Sequence, residues 1–265
     1  MPGVSHSQGS RIGFRTAGFA SWPIERALRA LADIGYGSVE LCLEHPETRP
    51  GDMTPARCRE VAALLRDLGL RLSSVSYHGD RRPAQEQAES HLQAEEVAER
   101  LQCPVLVLNT MRREPGREAE QMGEAVALAR RLLERGRREV LLAYEPEPGL
   151  VIGGTAQVVE FMRRVGSPRV RVNLDVGHAH ITERSAMHAI ATLGSAIAHT
   201  HVEDIAGKVH HHLVIGDGEL DFAVLRRAFE AAGYGGAYTV DLFDLGDDPQ
   251  EAAQRCFDGM LRWFG

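Results

Sequence analysis

Two hydrophobic periods alternate along this chain. Short apolar runs with a period of two residues indicate strands, and longer stretches with apolar residues every three or four positions indicate helices. The predicted strands have the sequences RIGFRT, GSVELCL, LRLSSVSYH, PVLVLNT, EVLLAYE, VRVNLD, AIAHTHVED and GAYTVDLF. The predicted helices that follow them span residues 23–35, 54–69, 84–101, 117–136, 155–165, 182–193, 221–232 and 249–263.

This alternation predicts a parallel sheet, because each connection between parallel strands needs a crossover helix. Eight strand–helix units in 265 residues fit a closed (β/α)8 TIM barrel, a single α/β domain over residues 11–265. Residues 1–10 are predicted to form a flexible tail. The alternative fold, an open doubly wound sheet, needs a glycine-rich phosphate loop after the first strand, and GFRTAGFASW is not one.

Capping signals mark where the first two helices begin and end. Pro23 stands at the start of the first helix, and Gly35 follows its last apolar residue. Thr54 is a favourable N-cap for the second helix, with Pro55 at the first helical position.

Composition and charge narrow the class of protein. A hydrophobic fraction of 43% and a charged fraction of 25% are ordinary for a soluble globular protein. The net charge of −7 disfavours a nucleic-acid partner, and four cysteines without a CxxC pair indicate neither a disulfide framework nor a thiolate zinc site. No apolar run reaches the roughly 18 residues of a membrane span, and the first residues lack the pattern of a signal peptide. We therefore expect a cytoplasmic protein with no membrane partner; a homo-oligomer stays open.

The stretch VRVNLDVGHAH, residues 170–180, carries the strongest single indication of chemistry. Side chains alternate faces along a strand, so Asp175 should point into the barrel at the strand's end, with His178 close behind it. The alternative is that Asp175 only caps the next helix, with His178 and His180 as solvated loop residues.

The same alternation places more polar groups at the C-terminal mouth of the barrel, where TIM-barrel active sites lie. Glu145, Asp175, His201 and Asp241 can all point inward from four consecutive strands. Three converging carboxylates would repel one another, and one divalent cation would remove that cost. Carboxylate oxygens with one imidazole favour Mn²⁺ or Mg²⁺, with Co²⁺ or Zn²⁺ as alternatives.

Two further residues are inward at strand ends. Glu40, on the second strand, is predicted to contact substrate or to form a structural ion pair. His78, on the third strand, is predicted to reach a sugar hydroxyl or to be a buried histidine with its hydrogen bonds satisfied. His199 lies one layer deeper and is expected to be a core residue bonded to Asn173 or Ser76.

In the order and spacing of its motifs, the chain resembles the xylose isomerase-like barrels of sugar (phosphate) isomerases and epimerases. The resemblance runs from about Arg11 to the C-terminus. The motifs are GFRTAGF, IGYGSVEL, AYEPEPG, NLDVGH, HTHVED, HHLVIGDGELDF and YTVDLF.

The resemblance implies a metal held by Glu145, Asp175, His201 and Asp241, with Glu145 and Asp241 also acting as proton-transfer groups beside the substrate. It further implies substrate contacts from Glu147 and His212, with His210 and His211 solvated. The alternative for Glu147 is a solvated loop acid. Asp241 departs from the family pattern, which usually has Glu there; its reach is shorter by roughly 1.5 Å.

These residues predict an enzyme that abstracts a proton next to a carbonyl and forms an enediolate on a sugar or keto-sugar. Glu145 would take the proton, and His178 would bond a substrate oxygen. Reprotonation by Asp241 on the other face gives epimerisation, whereas return of the proton by one acid to the neighbouring carbon gives aldose–ketose isomerisation. Phosphate on the substrate is left open, with Arg184 and Lys208 as its candidate contacts.

Three other functions stay open. A keto-cyclitol dehydratase of the inosose type begins with the same proton abstraction. An endonuclease IV-like phosphodiesterase would need three zinc ions and more ligands than strands two to four supply. A barrel that binds metal or metabolite without turnover is the third.

Overall fold

Eight parallel strands close into one barrel in chain order, and β8 pairs with β1 in the computed structural model. The structure describes residues 11–79, 84–136, 139–243, 245 and 248–264. The strands are β1 (Ile12–Arg15), β2 (Ser38–Cys42), β3 (Arg71–Ser76), β4 (Val105–Leu108), β5 (Leu141–Tyr144), β6 (Val170–Asp175), β7 (Ile197–Val202) and β8 (Tyr238–Val240). The prediction of a closed (β/α)8 barrel is confirmed; the predicted N-terminal tail, residues 1–10, lies outside the described residues.

The helices cover the outside of the barrel, with one short helix directly after β6. They are α1 (Ile24–Ile34), α2 (Pro55–Asp67), α3 (Ala84–Arg100), α4 (Glu118–Arg135), α5 (Thr155–Val165), α6 (Val176–Thr182), α7 (Ala186–Leu193), α8 (Phe222–Ala231) and α9 (Pro249–Phe264). No helix within the described ranges is long and apolar enough to cross a bilayer.

The predicted capping signals act as expected in the first two helices. Gly35 ends α1 with φ at 115°, a left-handed conformation that glycine adopts without strain. The Thr54 hydroxyl accepts a hydrogen bond from the backbone N–H of Arg57 and so caps α2.

The predicted helix over residues 182–193 is wrong at its start. The side chain of Asp175 accepts a hydrogen bond from the backbone N–H of His178, so a helix begins directly after β6. This helix, α6, ends at Thr182, and Ser185 caps a separate helix, α7. His178 therefore lies on a helix and not in a loop.

The two faces of the strands have different surroundings. Outward apolar residues such as Phe14 and Val39 are fully buried in the main core with residues of the helices. Inside the barrel, Val105, Val107 and Ala143 form a small separate apolar cluster on β4 and β5. The inward positions of the other strands carry buried polar side chains, and these form the base of the site described next.

Candidate active site

A cavity of about 420 Å³ opens at the C-terminal ends of the strands. That volume is typical of pockets for small molecules. Each strand contributes to its lining, either directly or through the segment after it. The lining residues are Arg15, Ala17, Cys42, Glu44, His78, Asn109, Glu145, Glu147, His178, His210, His212, Asp241 and Phe243.

The structure brings the four predicted metal ligands together at the base of this cavity. Glu145, Asp175, His201 and Asp241 are all buried, and each offers a donor atom within 4.8 Å of the others. Strand register explains part of this arrangement, because Asp175 pairs with His201 on the neighbouring strand. The cluster is hereafter called the four-ligand cluster.

Its donor set fits a divalent cation. Oδ1 of Asp175 caps α6, and the side chain of Asp175 also lies beside the buried carboxyl group of Glu203. Buried carboxylates this close to one another are costly, and a cation among them would offset that cost. Asp175 thus combines the two roles that the sequence offered as alternatives: it caps a helix and belongs to the four-ligand cluster.

His201 links two carboxylates across the base of the site. Its Nδ1 lies 3.1 Å from Oε1 of Glu145, and its Nε2 lies 3.0 Å from both oxygens of Glu40. Burial lowers the pKa of His201, but Glu40, Glu145 and Asp241 outweigh burial and raise it well above its usual value. Burial raises the pKa of Glu145, but His201 and His78 hold it well below its usual range.

Sequence reasoning missed Arg15 as a site residue. Its Nη1 lies 3.1 Å from both oxygens of Asp241, and its Nε lies 3.1 Å from Oε1 of Glu40. Burial raises the pKa of Asp241, but Arg15, His201 and His212 lower it below its usual value. The available signal was the inward parity of Arg15 on β1, at a barrel-strand end where a lone cation needs anionic partners.

Glu40 does not line the cavity. It is fully buried below His201 and contacts Arg15 and His199 as well. Its contacts fit the structural ion pair that the sequence left open rather than a substrate contact, because a carboxylate enclosed on all sides cannot reach a ligand. His199 is a core residue as expected, but the predicted partners are wrong: its Nε2 lies 3.0 Å from the hydroxyl of Ser74 and 3.1 Å from Glu40.

The other predicted substrate contacts line the cavity. Nε2 of His78 lies 3.1 Å from Oε2 of Glu145. Burial and Arg15 lower the pKa of His78, but the bond to Glu145 and the charges of Glu145 and Glu44 raise it above its usual value. Glu147 accepts a hydrogen bond of 3.0 Å from the side-chain amide of Asn109.

His178 and His212 face the cavity from two neighbouring segments, the helix after β6 and the segment after β7. Nδ1 of His178 lies 3.6 Å from Oε1 of Glu145, and Nδ1 of His212 bonds the backbone carbonyl of Asp241 at 2.7 Å. The candidate phosphate contacts, Arg184 and Lys208, are not among the lining residues of this cavity.

Glu203 and Phe243 are two further residues that the sequence reasoning missed. Glu203 is buried beside Asp175, and burial together with the charge of Asp175 raises the pKa of Glu203 well above its usual range. A Cβ on Gly177 would clash with Oε1 of Glu203, and only glycine leaves room for it there. Phe243 is 49% exposed and packs on His212 with ring centroids 4.6 Å apart, so it forms an apolar wall of the cavity.

Fold and site together define a TIM barrel with a candidate metal centre at its C-terminal mouth. The chain belongs to the xylose isomerase-like TIM barrel family, whose family model matches residues 28–260.

Two sugar epimerases are among its relatives. The chain is 22% identical over 253 residues to fructoselysine 3-epimerase of Escherichia coli O157:H7, covering 89% of this chain and 91% of that protein. A crystal structure of D-psicose 3-epimerase in the presence of D-fructose superposes with a TM-score of 0.79 at 17% identity, over 96% of this chain and 99% of that one.

A protein of a different reaction class has the same fold. The probable 3-DHS dehydratase AsbF from Bacillus anthracis superposes with a TM-score of 0.76 at 12% identity, over 95% of this chain and 98% of that chain. At these identities the solved structures share the fold with this chain, and the activities belong to the proteins that carry those names.

Proposed function

We propose that this chain is a divalent-metal-dependent epimerase or isomerase of a small sugar or keto-sugar. The observation that carries the proposal is the four-ligand cluster at the base of a cavity of about 420 Å³. The epimerase names of its relatives support the same reaction class. The cation would be held by Glu145, Asp175, His201 and Asp241. Mn²⁺ or Mg²⁺ is favoured because three of these four ligands are carboxylates. When bound, the cation would polarise the substrate's carbonyl and favour enediolate formation.

Glu145 is the proposed general base. It borders the cavity, and its described partners His78 and His201 are imidazoles, which can shift or give up a proton as Glu145 accepts one. His78, 3.1 Å from its second oxygen, holds that carboxylate in place. His78, His178, Glu147 and His212 line the cavity and would orient the hydroxyl and carbonyl groups of a sugar.

Asp241 is the proposed acid on the other face of the substrate, and one observation favours a second candidate reaction. Arg15 donates hydrogen bonds to both oxygens of Asp241, which keeps this carboxylate ionised and leaves neither oxygen without a donor. A carboxylate held in this way accepts and delivers protons poorly. A one-base reaction through Glu145 alone, an aldose–ketose isomerisation or a dehydration, is therefore the alternative.

Proton exchange in D₂O tests both schemes. Metal-loaded protein is incubated with a panel of keto-sugars, and the α-proton signals of substrate and product are followed by NMR. Two-base epimerisation introduces solvent deuterium into the epimer at the inverted carbon. One-base isomerisation moves the proton to the neighbouring carbon, with partial retention, and a dehydratase releases water to give an unsaturated product.

Glu145→Gln should lower the exchange rate by roughly 10³-fold or more, because general-base catalysis contributes about 10²–10⁴-fold. Glu120→Gln is the matched control, since Glu120 is an exposed residue of α4 that pairs with Arg117, the residue before this helix. Retained exchange in a folded, metal-loaded Glu145→Gln protein would overturn the role of Glu145. The absence of exchange with every keto-sugar in the wild type would overturn the proposed function.

A further inference from the structure

A second cavity, of about 350 Å³, adjoins the candidate active site. Three segments line it: the chain after β2, the chain after β3, and α3. The lining residues are Leu43, Glu44, Arg49, Pro50, Tyr77, Ser90 and Gln93. Glu44 also lines the main cavity, so the two spaces meet at its side chain. We call the second cavity the side pocket.

The main cavity is a poor place for an anionic group of a ligand. Four carboxylates belong to its lining, those of Glu44, Glu145, Glu147 and Asp241. Arg15 is also part of the lining, but its guanidinium already bonds Asp241 and Glu40. An anionic group in this space would therefore meet like charges and would gain no uncommitted arginine.

The carboxylate of Glu44, at the boundary, is bonded from the side of the main cavity. Its Oε1 accepts hydrogen bonds from the backbone N–H groups of His78 and Gly79. Its Oε2 accepts one of 3.1 Å from the thiol of Cys42 and lies 3.8 Å from Nη2 of Arg15. These donors offset the negative charge of Glu44, which is therefore not balanced at the expense of Arg49.

Arg49 brings an uncommitted positive charge to the side pocket. Its side chain is exposed, and within the described ranges its guanidinium forms neither an ion pair nor a hydrogen bond. Its backbone is held, because its carbonyl accepts hydrogen bonds from the N–H groups of Asp52 and Met53. A guanidinium offers N–H groups in a fork that matches the oxygens of a carboxylate or a phosphate.

Helix α3 adds uncharged polar groups to the same lining. The side-chain amide of Gln93 is exposed and makes no hydrogen bond in the part of the chain that the structure describes, so it can donate to an anion. The hydroxyl of Ser90 donates to the backbone carbonyl of Gln87 at 3.1 Å. Its oxygen can therefore accept a hydrogen bond from a sugar hydroxyl.

We infer that the side pocket binds an oxyanion, a carboxylate or a phosphate, on the part of the substrate remote from the reacting carbonyl. Arg49 is its main hydrogen-bond donor, and Gln93 is the second. The inference deepens the proposed function and rests on it for the sugar that fills the main cavity. Arg49 would select anionic keto-sugars over neutral ones without touching the reacting atoms. Arg184 and Lys208, the phosphate contacts suggested by the sequence, do not line the side pocket either.

Equilibrium dialysis tests this selectivity and does not depend on turnover. Full-length protein loaded with Mn²⁺ is dialysed against D-fructose, D-tagatose and D-psicose, against their 6-phosphates, and against D-fructuronate and D-tagaturonate. Inorganic phosphate is a separate arm. At least one phosphate ester or sugar acid should bind roughly 10-fold or more tightly than its neutral parent sugar, because hydrogen bonds to charged groups are the stronger ones.

Three variants assign the selectivity to the side pocket. Arg49→Gln should abolish the preference for the anionic ligand and leave the Kd of the neutral sugar unchanged. Gln93→Glu places a negative charge in the pocket and should weaken the anionic ligand alone. Arg59→Gln is the matched control and should bind as the wild type does, because Arg59 is an exposed arginine on α2 that lines neither cavity. Thermal unfolding checks that each variant is folded.

Three results would overturn the inference. Anionic and neutral sugars could bind the wild type equally, or Arg49→Gln could keep the preference. Inorganic phosphate could bind in an Arg49-dependent way while no sugar ester binds more tightly than its parent; the pocket would then hold a free anion and not a substrate group. The proposed function fails differently: absence of proton exchange with every sugar, beside an intact Arg49-dependent preference, would contradict the reaction and support the side pocket.

Discussion

The two sides of the cavity compensate their buried charges in different ways. On the side of β1 and β2, Arg15 and Glu40 lie 3.1 Å apart, and both are almost completely buried. On the side of β5 and β6, Glu145, Asp175 and the nearby Glu203 are buried carboxyl groups, and their described neighbours are imidazoles rather than an arginine or a lysine. One side is neutralised by its own arginine, and the other holds several buried carboxyl groups whose repulsion a cation would offset.

This difference separates the two acids that the resemblance treats as a pair. Among the residues the structure describes, the ion-pair partners of Glu145 are imidazoles, which can shift or exchange protons, whereas Asp241 is bonded through both oxygens to a guanidinium that stays protonated. The acids therefore differ in electrostatics and not only in length. The side chain of Arg15 reaches in from β1 and bonds both oxygens of Asp241.

The largest expected effect comes from replacing Arg15, the buried positive charge on the side of β1 and β2. Arg15→Met leaves the buried carboxylates of Glu40 and Asp241 without their shared partner. Breaking a buried ion pair in this way costs about 3–5 kcal/mol of unfolding free energy. Urea unfolding of the metal-free protein at pH 7 measures the loss.

Arg57→Met is the matched control for Arg15→Met. Arg57 pairs with Glu25 at 2.6 Å, but both side chains are partly exposed. Exposed pairs contribute about 0–1 kcal/mol, so the control should unfold nearly as the wild type does. If both variants lost the same free energy of unfolding, burial would add nothing to the cost of breaking the Arg15 ion pairs. The proposed difference between the two sides of the cavity would then be wrong.

A buried histidine away from the cavity shows what burial does without carboxylates. Burial, with a smaller contribution from His78, lowers the pKa of His91 to about 4, whereas carboxylate neighbours raise the pKa of the equally buried His201. A histidine with a lowered folded pKa is neutral in the folded protein, and the unfolded chain binds its proton first. Its contribution to stability is therefore complete above about pH 6.5 and is lost as pH falls towards 4.

His91→Phe should remove this sensitivity to acid while keeping the edge contact with Tyr77. The difference between a pKa of 6.5 and one of about 4 corresponds to about 3 kcal/mol. The unfolding free energy of the variant, relative to the wild type, should therefore rise by up to about 3 kcal/mol between pH 7 and pH 4. Urea titrations at both pH values measure it, and a constant difference between the two proteins would contradict the assignment.

The fold was predictable because each of its signals is local. Strand and helix periods, the Thr54 cap and the Gly35 stop all act within a few residues of their position. The start of the helix after β6 was predicted wrongly for a local reason as well. Asp175 ends β6 and also caps α6, so the helix begins at Val176 and not at residue 182.

The four-ligand cluster was predictable in placement because side-chain parity survives the closure of a barrel. Arg15 also lies at an inward position, but a pattern of carboxylates and imidazoles indicates metal ligands and gives no sign of the cation that pairs with them. Parity also fails once a strand ends. Glu203 follows the end of β7, and His210 lies in an irregular segment where no period indicates that its ring turns back towards His178.

The smallest expected effect concerns the apolar wall at the mouth. Phe243 faces the cavity next to His212, on neither of the charged sides, and should contribute contact area to a bound sugar rather than act on the reacting atoms. With the substrate identified by proton exchange, Phe243→Ala should raise KM roughly 3- to 10-fold and leave kcat unchanged, the signature of lost uniform binding.

Met187→Ala is the matched control for Phe243→Ala, because Met187 is a similarly exposed apolar residue on α7 that does not line the cavity. Steady-state kinetics of the two variants should differ in KM alone. A fall in kcat for Phe243→Ala would instead indicate that the wall positions His212, and through it the backbone of Asp241, during the chemical step. Phe243 at the rim would then influence Asp241 at the base of the site, and it would no longer be a residue that only binds substrate.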